Sequence, residues 1–353
     1  MRKKFGAVIL WMMICVLIFT TGCGKNKPAV SEPDDVVVIE TPESPSDVVD
    51  TRENLEGKVP SPISGIYVEK ERIERRPFAV MFDNMVKARP QAGLDQAEVV
   101  YEFLAEGLIT RYMGIFLINE PETIGSVRSA RPYFIDRALE YDALYVHVGG
   151  SEQAKSDIKA LKMADIDALS RNSTIFWRKN HKQAPHNMYT SSQAIRKAAS
   201  ESKYNTEGVF ESLKFHANAA KPNGIETLKV SLPYSKNYTA SFTYNQEEEI
   251  YYREINGKPH QDEISKQQLK AMNIIIQKAA TKVIDSEGRL EIEMVGKGEG
   301  YYLTQGEMVE IAWEKKSRKG ITRFFEKNGK EIQFNPGITW IQVVPKTMNP
   351  IFE

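Results

Sequence analysis

Two cysteines, Cys15 and Cys23, are all the thiol chemistry in these 353 residues. If the first 22 residues are removed, one cysteine remains. No disulfide can then staple the folded part, and cysteine metal sites and thiol catalysis are excluded. Stability must come from hydrophobic cores, which about 290 residues are enough to build as two domains. Charge of one sign is missing as well, since 47 Lys and Arg balance 47 Asp and Glu. Losing Arg2, Lys3 and Lys4 with a leader leaves a net charge of about −3, a poor match for nucleic acid or anionic lipid, so no nucleic-acid partner is expected. There is no HExxH helix and no Gly-x-Ser-x-Gly elbow. Gly296-Lys297-Gly298-Glu299-Gly300 lacks the spacing and the Ser/Thr of a phosphate loop and reads as a flexible hairpin loop. No cofactor and no metal site is expected.

What is present first is an address. A basic cluster, Arg2-Lys3-Lys4, precedes an apolar run from Phe5 to Phe19 that ends at Thr20-Thr21-Gly22-Cys23. The run is shorter than the ~20 residues of a spanning helix and suits a signal-peptide core. Small residues before a cysteine suit a peptidase, and lipid attachment needs a thiolate. Residues 1–22 therefore read as a lipoprotein signal peptide and Cys23 as the lipid-bearing residue, placing the protein on the extracytoplasmic face of the cell membrane with the membrane as its partner. An uncleaved anchor with an incidental cysteine is the alternative. Residues 23–62 follow as a tether: Pro28, Pro33, Pro42, Pro45, Pro60 and Pro62 stand among many acids and almost no large apolar residues, a composition too poor in core to order itself. Such a coil spans about 35 Å. A chain starting at Ile63 is then expected to melt like one starting at Gly24.

Residues 63–221 read as an α/β domain with a largely parallel or mixed sheet. Phe78 to Phe82 is a continuous apolar run ending in Asp83-Asn84, as for a strand covered on both faces. Asp95 followed by Glu98, with Leu94 and Val99 as a staple, predicts a helix over 95–105. A strand over 112–118, a helix from Arg131-Pro132 to Tyr141, a strand over 143–148, a helix from Ser151 to Met163 and a helix over 192–201 complete the alternation. After Lys221-Pro222-Asn223-Gly224 short β runs dominate: 228–234, 239–244, 249–255, 274–277, 290–295, 308–314, 322–325, 331–334 and 338–344. Asn256-Gly257 and Asn328-Gly329 are hairpin signals, the second read as a two-residue loop. Residues 222–353 therefore read as a smaller, mainly antiparallel β domain. Trp313 and Trp340 alternate with Ile311 and Ile338 and read as core.

Ligands of parallel sheets sit outside the carboxyl ends of the strands. Asp83 and Asn84 end one strand there, and His147 ends another before Gly149-Gly150-Ser151. The alternative is a simple turn and a satisfied core histidine. Arg128 and Arg131 open a helix whose dipole favours negative charge at that end. An anionic ligand, or an internal acid such as Glu102, Glu106 or Asp136, would resolve the conflict. Arg89 and Arg111 add positive charge. His186 and Asn187, in His181-Lys182-Gln183-Ala184-Pro185-His186-Asn187-Met188-Tyr189, lack a third ligand at metal spacing, and a loop locked by their hydrogen bonds is the alternative.

The blocks at 76–84, 88–94, 125–133 and 184–189, with Asn335-Pro336-Gly337-Ile338-Thr339-Trp340-Ile341 near the end, make the chain resemble the YerB-type lipoproteins, an uncharacterised family of bacterial envelope proteins. The resemblance implies two linked domains and a lipid-anchored address, and it implies no catalytic residue. The combined expectation is a non-catalytic binding or scaffold protein for an anionic envelope ligand or protein partner. The competing expectation is an envelope hydrolase using Asp83 or Glu102 with His147 or His186.

Overall fold

The computed structural model describes residues 57–353; the segment read as a signal peptide, Cys23 and the segment read as a tether as far as residue 56 lie outside the described residues. The first half is built mainly of eight strands and three helices. They are β1 (Lys58–Pro60), β2 (Tyr67–Glu69), β3 (Phe78–Asp83), β4 (Val99–Leu104), β5 (Thr110–Phe116), β6 (Ile124–Gly125), β7 (Leu144–His147) and β8 (Asp165–Asp167), with α1 (Pro132–Ala138) following β6, α2 (Glu152–Ala160) following β7, and α3 (Ser192–Glu201) following the short strands 177–178 and 188–190.

An eleven-stranded mixed sheet organises everything else. Its central order is 339–345, β4, β5, β3, β7, β8. β5 runs antiparallel to β3 and β4, whereas β7 runs parallel to β3 and β8. Strand 339–345 lies parallel to β4, with Thr339 to Val343 opposite Val99 to Phe103, and also parallel to 273–279. Antiparallel strands 296–304, 307–315 and 323–326 extend that side. A second, six-stranded antiparallel sheet is built on 229–235, 238–245 and 250–255.

Strand alternation divides the apolar residues between two cores. Phe78, Val80 and Phe82 pack with Val230, Leu232, Phe242 and Trp340 under the second sheet. Ala79 and Met81 face the other way, toward Phe134, Ile135 and Ile158 of α1 and α2. Both faces of β3, β4 and β5 are therefore covered, and every residue of the three strands is buried. That explains their unbroken apolar runs.

Five readings of the sequence require correction. The segment expected as a helix over 95–105 is a single 3-10 turn, Leu94–Gln96, followed by strand β4. Its β-branched and aromatic residues are buried on both faces, a tertiary demand that overrides the capping pattern. Gly296 to Gly300 is not a flexible loop but the start of strand 296–304; a Cβ on Gly300 would stand 2.3 Å from the Ile276 carbonyl oxygen, so the glycine permits close approach of backbones. Asn328-Gly329 lies in a three-residue loop, with Glu326 bonded to Lys330 and Gly329 at φ 84°, the turn-plus-glycine alternative to a two-residue hairpin. Residues 331–334 make isolated bridges through Glu331 and Phe334 instead of a strand.

The fifth concerns the end of the tether. β1 pairs with β2, and Ser61 is buried with its hydroxyl 2.5 Å from Glu98 Oε1. Glu98 accepts four hydrogen bonds in all, from the Ser61 and Ser64 hydroxyls and the Leu117 and Ile118 N–H groups. Each bond to a buried charge contributes about 1.5–3 kcal/mol. A chain starting at Ile63 should therefore melt several degrees below one starting at Gly24, because it lacks the Ser61 donor and β1. Equal midpoints in calorimetry would show that these residues add nothing to stability.

Candidate functional site

Asp83, at the carboxyl end of β3, points to the α1 face, as do Ala79 and Met81. Its Oδ2 lies 2.7 Å from His186 Nδ1 and 3.3 Å from Arg128 Nε, while its Oδ1 accepts the Met85 N–H at 2.9 Å. Arg111 is the cross-strand neighbour of Asp83 on β5. Its Nη2 donates to Glu106 Oε1 at 2.7 Å. Arg131, the residue that caps α1, also grips Glu106, through Nε at 3.0 Å to Oε2 and through Nη2 to Oε1. The internal acid beside the two arginines at the helix start is thus Glu106 for Arg131 and Asp83 for Arg128.

His147 sits in the same face of the sheet, its ring nitrogens against the Gly149 carbonyl at 2.8 Å and the Asp165 carboxylate. The loop 126–130 ties these parts together, since Asp83 N–H bonds to the Ser126 carbonyl, Arg128 N–H to the Met81 carbonyl, and Val148 N–H to the Arg128 carbonyl.

Three residues named with these go elsewhere. Asn84 is one position beyond Asp83 and therefore faces the opposite side, donating to Thr110 Oγ1 and the Tyr238 hydroxyl. Arg89 follows it there, bonded to the Asn84 carbonyl and stacked 4.9 Å from the Tyr238 ring centroid. Asn187 closes its own loop, donating to the Lys179 and Lys182 carbonyls and accepting from Arg178. Glu102 is also removed from any acid or base role by contact with substrate. It is wholly buried between Arg253 Nη2 at 2.7 Å and the Tyr238 hydroxyl at 2.6 Å.

The electrostatics centre on Glu106. Burial pushes its carboxyl up, but the Arg131 hydrogen bond and the Arg111 and Arg131 charges outweigh this and hold it at about 2. Arg111 is lowered by burial first and then by the Arg131 charge. Burial raises the Tyr133 and Tyr145 phenols, which lie in the fields of Arg111 and Arg131. Both tyrosines escaped sequence analysis, although Tyr145 shares the strand parity of His147. Arg253 escaped too. Its signal was a lone cation at inward parity in Tyr251-Tyr252-Arg253-Glu254-Ile255, where Tyr251 and Ile255 face the core. Cavities of about 760, 660 and 440 Å³ lie at other places, and none is lined by a residue of this edge cluster.

Comparison with known proteins matches residues 63–205 to the N-terminal domain, and residues 230–341 to the C-terminal domain, of a protein family of unknown function, DUF3048. The chain is 35% identical over 291 residues to YerB of Bacillus subtilis (strain 168), which carries the name of a lipoprotein; the alignment covers 82% of this chain and 87% of the relative. The crystal structure of YerB superposes with a TM-score of 0.77 at 33% identity, covering 83% of this chain and all of that one.

The geometry of Glu106 sets a pH dependence with a definite sign. A carboxylate held below its ordinary range stabilises the fold fully above that range and loses the contribution as pH falls through it. In urea melts the stability gap between wild type and Glu106→Gln should be steady near neutrality and close as pH drops from about 4.5 to about 2. Solvent reaches a quarter of the side chain, so the gap stays below that of a fully buried pair. A gap that does not narrow in acid would mean that the arginines do not hold Glu106 ionised.

Proposed function

The chain belongs to the DUF3048 family, and we propose that it is a lipid-anchored binding protein of the bacterial envelope, held through Cys23 on the outer face of the cytoplasmic membrane, with an arginine-lined edge that takes an anionic envelope ligand. The observation that carries the reading is a surplus of cationic donors at one sheet edge. Arg111 and Arg131 share the single carboxylate of Glu106, and Arg111 Nη1 has no hydrogen-bond acceptor although the side chain is only 7% exposed. A buried donor left unmatched costs about 1–3 kcal/mol, which a bound anion would recover. The lipoprotein name of the similar YerB supports the address. Signal peptide, cleavage before Cys23, tether and lipid are parts of the same proposal.

A hydrolase is the second reading, favoured by the 2.7 Å contact of His186 with Asp83. Against it, both Asp83 oxygens are committed to holding the loop, and the nearby Ser126 hydroxyl is spent on the His186 carbonyl. A general base must be free to meet the proton it takes.

Three measurements test the proposal. Fatty-acid labelling of the expressed chain should vanish in Cys23→Ala, and persistent labelling would remove the anchor. Titration of the full mature chain in detergent with soluble muropeptides bearing free carboxylates should give binding that Arg131→Ala or Arg128→Ala weakens about tenfold or more, with about 1–2 kcal/mol lost in stability because both pairs are partly solvated. A loss of roughly 3–5 kcal/mol per substitution, with binding unchanged, would make the pairs structural. Incubation with cell walls should release no soluble fragments; release abolished by Asp83→Asn would replace the binder with the hydrolase.

A further inference from the structure

Among the described residues, Arg171 and Arg196 have a nitrogen without an acceptor on partly exposed side chains, while three arginines are themselves buried and carry such a nitrogen: Arg111, Arg137 and Arg253. In two of them an aromatic face covers the guanidinium. Arg253 lies 4.3 Å from the Trp340 ring centroid and Arg137 5.3 Å from that of Tyr101, a contact that satisfies a weakly hydrated cation. No ring covers Arg111 among the described residues. Two further buried donors are unmatched close to the arginine pair, the Tyr133 hydroxyl in the field of Arg111 and Arg131 and the Tyr145 hydroxyl in that of Arg131. Three donors without an acceptor thus belong to, or lie close to, the two arginines that hold Glu106.

Glu106 is held there by an unusual turn. Gly107 and Leu108 both take positive φ, 69° and 59°. For leucine this region is sterically costly, and the Leu108 side chain is 62% exposed, so no packing of its own fixes it. The turn's contribution to the interior is the Glu106 carboxylate, which lies across two guanidiniums as a ligand would: one oxygen takes both Nη2 groups and the other takes Arg131 Nε.

We propose that Glu106 is an internal stand-in for a ligand's carboxylate: Arg111, Arg131 and the Tyr133 hydroxyl form a carboxylate seat that a ligand enters by exchange with Glu106, its second oxygen meeting the free Arg111 Nη1. This rests on the reading of the edge as an anion site and names its ligand class. The planar fork of arginine matches a carboxylate in two hydrogen bonds. A phosphate dianion would have to be stripped of far more hydration to reach a seat this deep.

The experiment titrates the full mature chain in detergent, by calorimetry, with alanyl-alanine, its C-terminal amide, acetate and inorganic phosphate. Alanyl-alanine should bind and its amide should not, Glu106→Gln should tighten the carboxylate about tenfold by removing the competitor, and Tyr133→Phe should loosen it severalfold with the melting temperature unchanged. Acetate binding as tightly as alanyl-alanine assigns the seat to small carboxylates, and tighter binding of the dipeptide assigns it to chain termini; either supports the seat. Phosphate binding without carboxylate binding overturns the ligand class while the anion site stands. Carboxylate binding that Glu106→Gln leaves unchanged overturns the exchange. No anion bound by wild type, Tyr133→Phe or Glu106→Gln overturns both the seat and the site it rests on.

Discussion

Everything in this fold depends on the parallel pairing of Thr339 to Val343 with Val99 to Phe103. Without it β4 would be an exposed edge, with unpaired N–H and C=O groups along a strand of large apolar residues. With it, β4 has a neighbour on each side and a core on each face. Such a strand leaves no route to water, so a charged residue on it must find its partner inside the protein. Glu102 does so through Arg253, reached from the second sheet and sandwiched against Trp340 and Phe242. One strand pairing thus dictates a buried ion pair, and the pair in turn fixes where the second sheet lies. Removing either charge alone would strand the other, which is why the contact specifies geometry more than it adds stability.

The same period of two sorts the polar residues at the strand ends. Asp83 and Asn84 are adjacent in the chain and 180° apart in space, so one joins His186, Arg128 and the helix face while the other joins Thr110 and Tyr238 beneath the second sheet. Arg89 is drawn to the second side by the Asn84 carbonyl. Six of the residues singled out, Asp83, Arg111, Arg128, Arg131, His147 and His186, remain on the side of α1. Their order along the edge comes from the register of β3 with β5 and β7 and from the loop 126–130 that laces the strand ends together.

Those relations mark the limit of what the amino-acid sequence discloses. Strands β3, β5 and β7 and helices α1, α2 and α3 were legible because apolar runs, Pro132 and the Ser151 and Ser191 caps are local signals. β4 was not, because Asp95 and Glu98 imitate a capping box whose second member is recruited by Ser61, Ser64 and two backbone N–H groups instead. Convergence of the arginines on Glu106 was named only as one of three internal acids, since the choice among Glu102, Glu106 and Asp136 is made by strand parity and register across distant segments. Asp136 is taken by Arg318, some 180 residues away in the chain, a pairing that no spacing announces.

In the proposed reading of the edge, Glu106 brings stability and binding into opposition. Arg111 and Arg131 carry two positive charges into a region where only 7% and 12% of their side chains meet solvent. Two such charges repel strongly at low dielectric unless an anion lies between them. A protein that relied on its ligand alone to separate them would be destabilised whenever the ligand was absent. An internal carboxylate removes that penalty and, if the edge is the anion site proposed for it, lowers affinity, because an incoming anion must first displace it. The turn 106–108 makes the displacement inexpensive, since releasing it relieves a positive φ at Leu108 and buries nothing new. By contrast, Glu140 is locked between Arg137 and Lys315 with almost no exposed surface, and nothing outside could take its place. Among the described residues, Glu106 is the carboxylate facing paired cations whose position combines partial exposure, a strained support and unmatched donors on or near those cations.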